Sequence, residues 1–243
     1  MHIIGHRGAR GEAPENTLGG FNYLKQIQIH AVEFDVRQLT DQHLVVIHDD
    51  NLKRTAGQNA PIETWHIDDL IHHDHRVAWT DWQSPEPTPE LKDVLNIIAN
   101  FSHIEVEIKA VASADAANQL VTSLLPQLSA LHDAVVITSF DTQILHALNQ
   151  QQATFKKGLL IESEPDQAIE LAQALDCQQI GWMDALATAE RIKRTHDAGL
   201  KTSVWTVNDI ARAEALYQLG IHGLITDFPL HMKQHFNGRI HNS

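Results

Sequence analysis

Short β-branched runs alternate with helical patterns along the whole chain, and this alternation constrains the fold more than any other feature. Strands are predicted at 2–5, 31–36, 43–48, 103–109, 134–139, 157–161, 179–182, 201–206 and 222–226. Helices are predicted near 17–29, 90–100, 114–131, 141–150, 165–175, 187–198, 208–219 and 229–236. The clearest is 114–131, where Ala117, Leu120, Val121, Leu124, Leu125 and Leu128 form one apolar stripe. Asn208 and Asp209 suit the N-terminal cap of the helix that follows. Gly199 and Gly220 stand where helices end. Strand–helix alternation implies parallel strands. One connection breaks the rule. The turn Thr40-Asp41-Gln42 is far shorter than the roughly dozen residues a parallel crossover needs. Segment 43–48 therefore returns antiparallel, as a hairpin on 31–36. Eight parallel strands remain, and a (β/α)8 TIM barrel, an α/β fold, is their natural closure. An open doubly wound sheet is the alternative, but no G-x-G-x-x-G follows the first strand.

The 243 residues suffice for one large domain spanning 1–243. Segment 49–88 interrupts the repeat with Pro61, Pro85, Pro87, Trp65, Trp79 and Trp82 and a helix-like stretch at 66–73. It is too long for a plain βα loop. It reads as a small insertion over the catalytic face, either a structural cap or a lid that touches substrate. Its histidines, His66, His72, His73 and His75, lack a ligand spacing and read as a solvated segment. The net charge of −13, from 18 Lys+Arg against 31 Asp+Glu, excludes a nucleic-acid binder. The same field opposes a small anionic substrate unless local cations offset it. Arg7, Lys109 and a bound divalent metal are the candidates. No apolar run approaches the ~20 residues that span a bilayer. Residues 1–6 show no basic region followed by a long apolar stretch, so a cytoplasmic location without membrane insertion is expected. Cys177 is the single cysteine, so no intrachain disulfide forms.

Chemistry gathers at the predicted strand ends. The first strand delivers His6-Arg7 onto the glycine-rich turn Gly8-Ala9-Arg10-Gly11, ahead of a helix start. An imidazole, a fixed cation and free backbone N–H groups there would suit a phosphate ester. Residues i and i+2 of a strand share a face. Val32, Phe34 and Val36 thus face helices, while Glu33 and Asp35 face the barrel mouth. Two carboxylates on one face repel and resist desolvation, and a hard divalent cation relieves both costs. The pattern repeats at 104–109, where Glu105, Glu107 and Lys109 alternate with Ile104, Val106 and Ile108. Glu107 is the third candidate ligand. Glu105 lies one layer deeper and reads as a packed ion-pair partner. His48 closes the run Leu44-Val45-Val46-Ile47 and, with His6, offers an acid and a base near neutrality. Trp205 faces the upper rim by parity. Trp205 and Phe140 are each either core aromatics or a substrate wall. Asp227 reads as a cap for the last helix.

Together these residues resemble the glycerophosphodiester phosphodiesterases, over nearly the whole length. The ordered pieces are His6-Arg7-Gly8, Pro14-Glu15-Asn16-Thr17, Glu33-Phe34-Asp35-Val36 and Val45-Val46-Ile47-His48-Asp49. They continue with Leu52-Lys53-Arg54-Thr55, Glu107-Ile108-Lys109, Ser139-Phe140, Trp205-Thr206-Val207-Asn208 and Thr226-Asp227-Phe228-Pro229. Each is weak alone, and the ordered set is specific. The chain is similar to the shorter cytoplasmic bacterial members. The resemblance implies a TIM barrel with an insertion after His48. It implies hydrolysis of a small-molecule glycerophosphodiester to glycerol 3-phosphate and an alcohol. It implies Mg²⁺ or Ca²⁺ on Glu33, Asp35 and Glu107, and an acid/base pair in His6 and His48. Arg7 matches the phosphate-contacting arginine and Lys109 a site lysine. One departure is Pro87-Thr88-Pro89-Glu90-Leu91, where the family usually has a single Pro-Thr-Leu.

Two routes fit this set: attack by the neighbouring glycerol hydroxyl through a cyclic phosphate, and direct attack by water. A lysophospholipase D-like activity on the same site is an alternative. It would need an apolar channel, for which Trp65, Trp79 and Trp82 are candidates. A silent phosphate-binding barrel would have lost a histidine or carboxylate, and this chain keeps them all.

Overall fold

The structure is a computed structural model that describes residues 1–163 and 167–240. The strands are β1 (His2–His6), β2 (Ala31–Gln38), β3 (Leu44–Val46), β4 (His103–Ile108), β5 (Val135–Ser139), β6 (Lys156–Ile161), β7 (Gln179–Met183), β8 (Lys201–Trp205) and β9 (Gly223–Thr226). The helices are α1 (Leu18–Gln26), α2 (Lys53–Ala56), α3 (Ile67–Leu70), α4 (Leu91–Ile97), α5 (Ala114–Leu128), α6 (Thr142–Gln150), α7 (Ala168–Ala174), α8 (Ala189–Asp197), α9 (Ile210–Gln218) and α10 (Pro229–His235). Every strand and helix expected from the sequence is present. The expected helix 165–175 is seen from Ala168, and its first two positions lie outside the described residues, as do 241–243 of the expected domain range.

The sheet runs β1-β9-β8-β7-β6-β5-β4-β2 and closes through β1–β2, all parallel. This is the eight-stranded barrel, with a helix after each strand. β3 adds antiparallel to the end of β2, pairing Val36 with Val46 and Gln38 with Leu44. Past the ladder, the Ile47 N–H still donates to the Asp35 carbonyl at 3.0 Å, and Arg37 holds the residue that follows. The Arg37 Nε and Nη2 donate to the His48 carbonyl at 3.0 and 2.9 Å, which anchors that residue at the rim.

Strand parity sorts the core. Val32, Phe34, Val36, Ile104, Val106 and Ile108 are buried against the helices. Ala117, Leu120, Val121, Leu124 and Leu128 meet that layer from α5, with Leu125 half-buried beside them. The interior face mixes polar groups with a small apolar cluster of Ile4, Ala31 and Ile225. Glu105 lies deep, within 3.0 Å of His103 Nε2, and accepts from Ser203 Oγ at 3.3 Å, as its packed role required. Gly199 and Gly220 follow α8 and α9 with φ of +77° and +75°, the left-handed region that ends helices at little cost for glycine. Asp209 caps α9 through the Arg212 N–H at 2.8 Å, and Asn208 has other partners.

Segment 49–88 has its own apolar cluster of Leu52, Ile62, Ile67 and Leu70 against Leu39, Val45 and Ile47. Trp82 Nε1 donates to Glu86 at 2.8 Å, and Glu86 accepts the Gly19 N–H of α1 at 2.9 Å. One histidine departs from the solvated reading. His75 is buried, its Nδ1 2.7 Å from Thr55 Oγ1 and its Nε2 2.6 Å from Thr88 Oγ1. Burial lowers its pKa from 6.5 to about 4. The unfolded chain therefore takes up this proton first as pH falls. The stability due to neutral His75 is complete above pH 6.5 and declines as pH drops toward 4. The loss is on the order of 3 kcal/mol over that window. His75→Gln is expected to flatten the fall of Tm between pH 7 and 4.5. An unchanged slope would contradict the buried neutral imidazole.

Candidate active site

Register assembles the site at the C-terminal ends of three adjacent strands. β1 sets His6 beside Glu33, and β4 sets Glu107 beside Asp35. Gly5 permits the turn that follows, since a Cβ there would lie 2.0 Å from the Gly8 carbonyl oxygen. His6, Arg7, Glu33, His48 and Glu107 line one cavity of about 110 Å³ at the barrel mouth, faced by Phe140, Leu160, Glu162 and Trp205. Ligand-type oxygens of Glu33, Asp35 and Glu107 lie within 4.8 Å of one another, all three residues buried.

Two cations meet these three carboxylates. Lys109 Nζ is 2.8 Å from Asp35 and also bonds Glu107. Arg7 Nε is 3.4 Å from Asp35, and its Nη1 donates to Glu15 at 2.9 Å. Asn16 Nδ2 donates to Asp35 at 2.8 Å. Burial would raise Asp35, but Lys109 and Arg7 outweigh it and hold the carboxyl well below the usual range. Burial and the Asp35 charge push Glu33 up, and they take Glu107 to about 7. The cluster is one positive charge short. Asp35 Oδ1 is buried and meets Lys109 Nζ alone, at 2.8 Å. Three buried carboxylates in an all-oxygen, charge-deficient set fit a hard divalent cation.

Each histidine has its own carboxylate. His6 Nδ1 lies 2.6 Å from Asp227 Oδ1, and His48 Nδ1 lies 2.7 Å from Asp49 Oδ1. Burial keeps both imidazoles below their ordinary pKa despite these partners. A neutral ring bonded this way holds its proton on Nδ1 and leaves the Nε2 lone pair free. His6 Nε2 is 4.0 Å from Glu33.

Several expectations change here. Asp227 does not cap the last helix. It holds His6 and accepts from Asn208 Nδ2 at 2.8 Å. Glu12 takes the first N–H groups of α10 instead, from Leu230 at 3.1 Å and His231 at 3.3 Å. Most N–H groups of the glycine-rich turn are already taken. Arg7 N–H donates to Glu33 Oε2, Gly8 N–H to the Glu33 carbonyl and Gly11 N–H to the Asp227 carbonyl. Lys109 lies against Asp35 and Glu107 and does not line the mouth cavity. Trp65, Trp79 and Trp82 do not line it either. Trp65 packs on the insertion's own cluster and on His73, so no tryptophan channel opens there. The insertion reaches the site through Arg54, which donates to Glu15 at 2.6 and 2.7 Å and to Asp49 at 2.8 Å. The roles of Glu15, Asn16, Asp49 and Arg54 were not assigned from sequence, although each sits in a recognised piece.

Residues 6–231 match the model of the glycerophosphoryl diester phosphodiesterase family. The chain belongs to that family. Its reaction class is phosphoric diester hydrolysis. Among relatives, the Bacillus subtilis protein YhdW is 27% identical over 243 residues, covering 94% of this chain and 95% of that one. A glycerophosphodiester phosphodiesterase of Caldanaerobacter subterraneus is 24% identical over 230 residues, covering 93% and 94%. The fold matches that of an Oleispira antarctica phosphodiesterase in complex with the product sn-glycerol-3-phosphate. The TM-score is 0.88 at 23% identity, with 98% and 97% of the two chains covered. Among the described residues, no helix is long and apolar enough to cross a membrane.

Proposed function

We propose that the mouth cavity cleaves small glycerophosphodiesters to glycerol 3-phosphate and an alcohol, with His6 and His48 moving the protons and Glu33, Asp35 and Glu107 holding Mg²⁺ or Ca²⁺. One observation carries the reading: two imidazoles, each oriented by its own carboxylate, border the same cavity as a buried three-carboxylate cluster. The cation, when bound, supplies positive charge against the phosphoryl oxygens. Arg7 adds a fixed guanidinium, held by Glu15 and itself supported by Arg54. Lys109 adds a second positive charge behind Asp35 and Glu107. One histidine takes the proton of the attacking hydroxyl or water, and the other gives one to the departing oxygen. Asp227 and Asp49 keep each Nε2 aimed and stabilise the imidazolium while it lasts. Phe140 and Trp205 meet edge to face at 5.4 Å and wall the side opposite the carboxylates.

The test is an assay on glycerophosphocholine and glycerophosphoethanolamine with added Mg²⁺ or Ca²⁺. Equal amounts of glycerol 3-phosphate and free alcohol are expected. No release from either substrate would contradict the proposal.

A further inference from the structure

The cavity has two unlike poles. β1, β2 and β4 supply the imidazoles, Arg7 and the buried carboxylates. β5, β6 and β8 supply an apolar wall with one acid in it. Parity along β6 puts Gly158, Leu160 and then Glu162 on the interior side, so Glu162 stands at the lip just beyond the strand end. Gly181 on β7 leaves room for the wall, since a Cβ there would lie 2.5 Å from Leu160 Cδ2. Trp205 is fixed by donating from Nε1 to the Gly181 carbonyl at 3.1 Å. Glu162 is exposed and forms no ion pair among the described residues. A second cleft shares Phe140, Leu160 and Glu162 with the mouth and runs outward past Ala168 and Leu171 of α7.

A carboxylate at the lip of a cavity built for a phosphate anion repels the substrate, unless the substrate carries a positive group at that point. A phosphodiester has two arms, and the arm that varies needs a path to solvent. The cleft past Glu162 is such a path, and the aromatic pair beside it can face a cation. We infer that Glu162, with Phe140 and Trp205, forms a subsite for a cationic leaving alcohol, one bearing an ammonium group such as choline or ethanolamine. The inference rests on the activity proposed above and names its substrate class.

The test compares kcat/KM for glycerophosphocholine and for glycerophosphoglycerol, whose leaving alcohol is uncharged. Glu162→Gln is expected to lower the choline-to-glycerol ratio about fivefold. Glu162→Lys is expected to lower it further and to raise relative turnover of glycerophosphoserine, which adds a carboxylate. Unchanged ratios in both variants would overturn the inference and leave the activity standing. An equal fall on all substrates would also overturn it, by showing that Glu162 serves the reaction and not the alcohol. No turnover of any substrate by the wild-type enzyme would overturn the activity, and the inference with it.

Discussion

His48→Ala and His6→Ala are each expected to lower kcat by about 10²–10⁴-fold, the range for positioned acid/base groups. Neither side chain carries a share of the core large enough to explain such a loss by unfolding. His48 is half-buried at the rim, bonded through Nδ1 to Asp49 and anchored through its carbonyl to Arg37. His6 is more enclosed and ties β1 to the end of β9 through Asp227. Its variant should therefore lose some Tm as well as activity, whereas His48→Ala should lose activity alone. The double variant should lose much less than the product of the single losses, because groups that act in one proton circuit are not additive. Near wild-type kcat in either single variant would make that histidine structural.

Glu33→Gln is expected to weaken Mg²⁺ or Ca²⁺ binding by about 100-fold or more, while the Tm of the metal-free protein stays level or rises. The reason lies in the charge balance. Glu33 is buried beside Asp35 and Glu107, and the two protein cations are committed chiefly to Asp35. Removing the Glu33 charge relieves repulsion in the metal-free state. Asp35→Asn should behave differently, although both residues were expected from sequence to act alike. Asp35 is the partner of Lys109, Arg7 and Asn16. Its loss takes the shared carboxylate from two buried cations, leaving Lys109 to Glu107 and Arg7 to Glu15, at a cost on the order of 3 kcal/mol. Calorimetric metal titration and thermal melts of both metal-free variants check this pair. A Glu33→Gln protein that binds metal as tightly as wild type would remove Glu33 from the ligand set.

The barrel was legible because its signals are local. Strand and helix periods alternate, and a three-residue turn cannot make a parallel crossover. Parity then aimed Glu33, Asp35 and Glu107 at one mouth. What stayed hidden depends on closure of the ring. Asp227 reaches His6 across a separation of 221 residues only because β9 pairs with β1. Read locally, an Asp just before Pro229 looks like a helix cap, and nothing in the sequence shows that Glu12 has taken that place. The glycine-rich turn looked like a cradle of free N–H groups, yet Glu33 and neighbouring carbonyls consume most of them. His75 looked solvated because its two threonine partners, Thr55 and Thr88, lie far along the chain on either side. The insertion's tryptophans were candidates for an apolar channel, but they pack on the insertion and α1. Glu162 falls one residue past the predicted strand 157–161, and the parity that found Glu33 would have found it if extended by one position.

The most direct test of the account is turnover of glycerophosphocholine by enzyme stripped of metal with a chelator and then dialysed. The account predicts loss of activity and its return on adding Mg²⁺ or Ca²⁺, with no return in Glu33→Gln at the same metal concentration. Full turnover by thoroughly metal-free wild-type enzyme would contradict it.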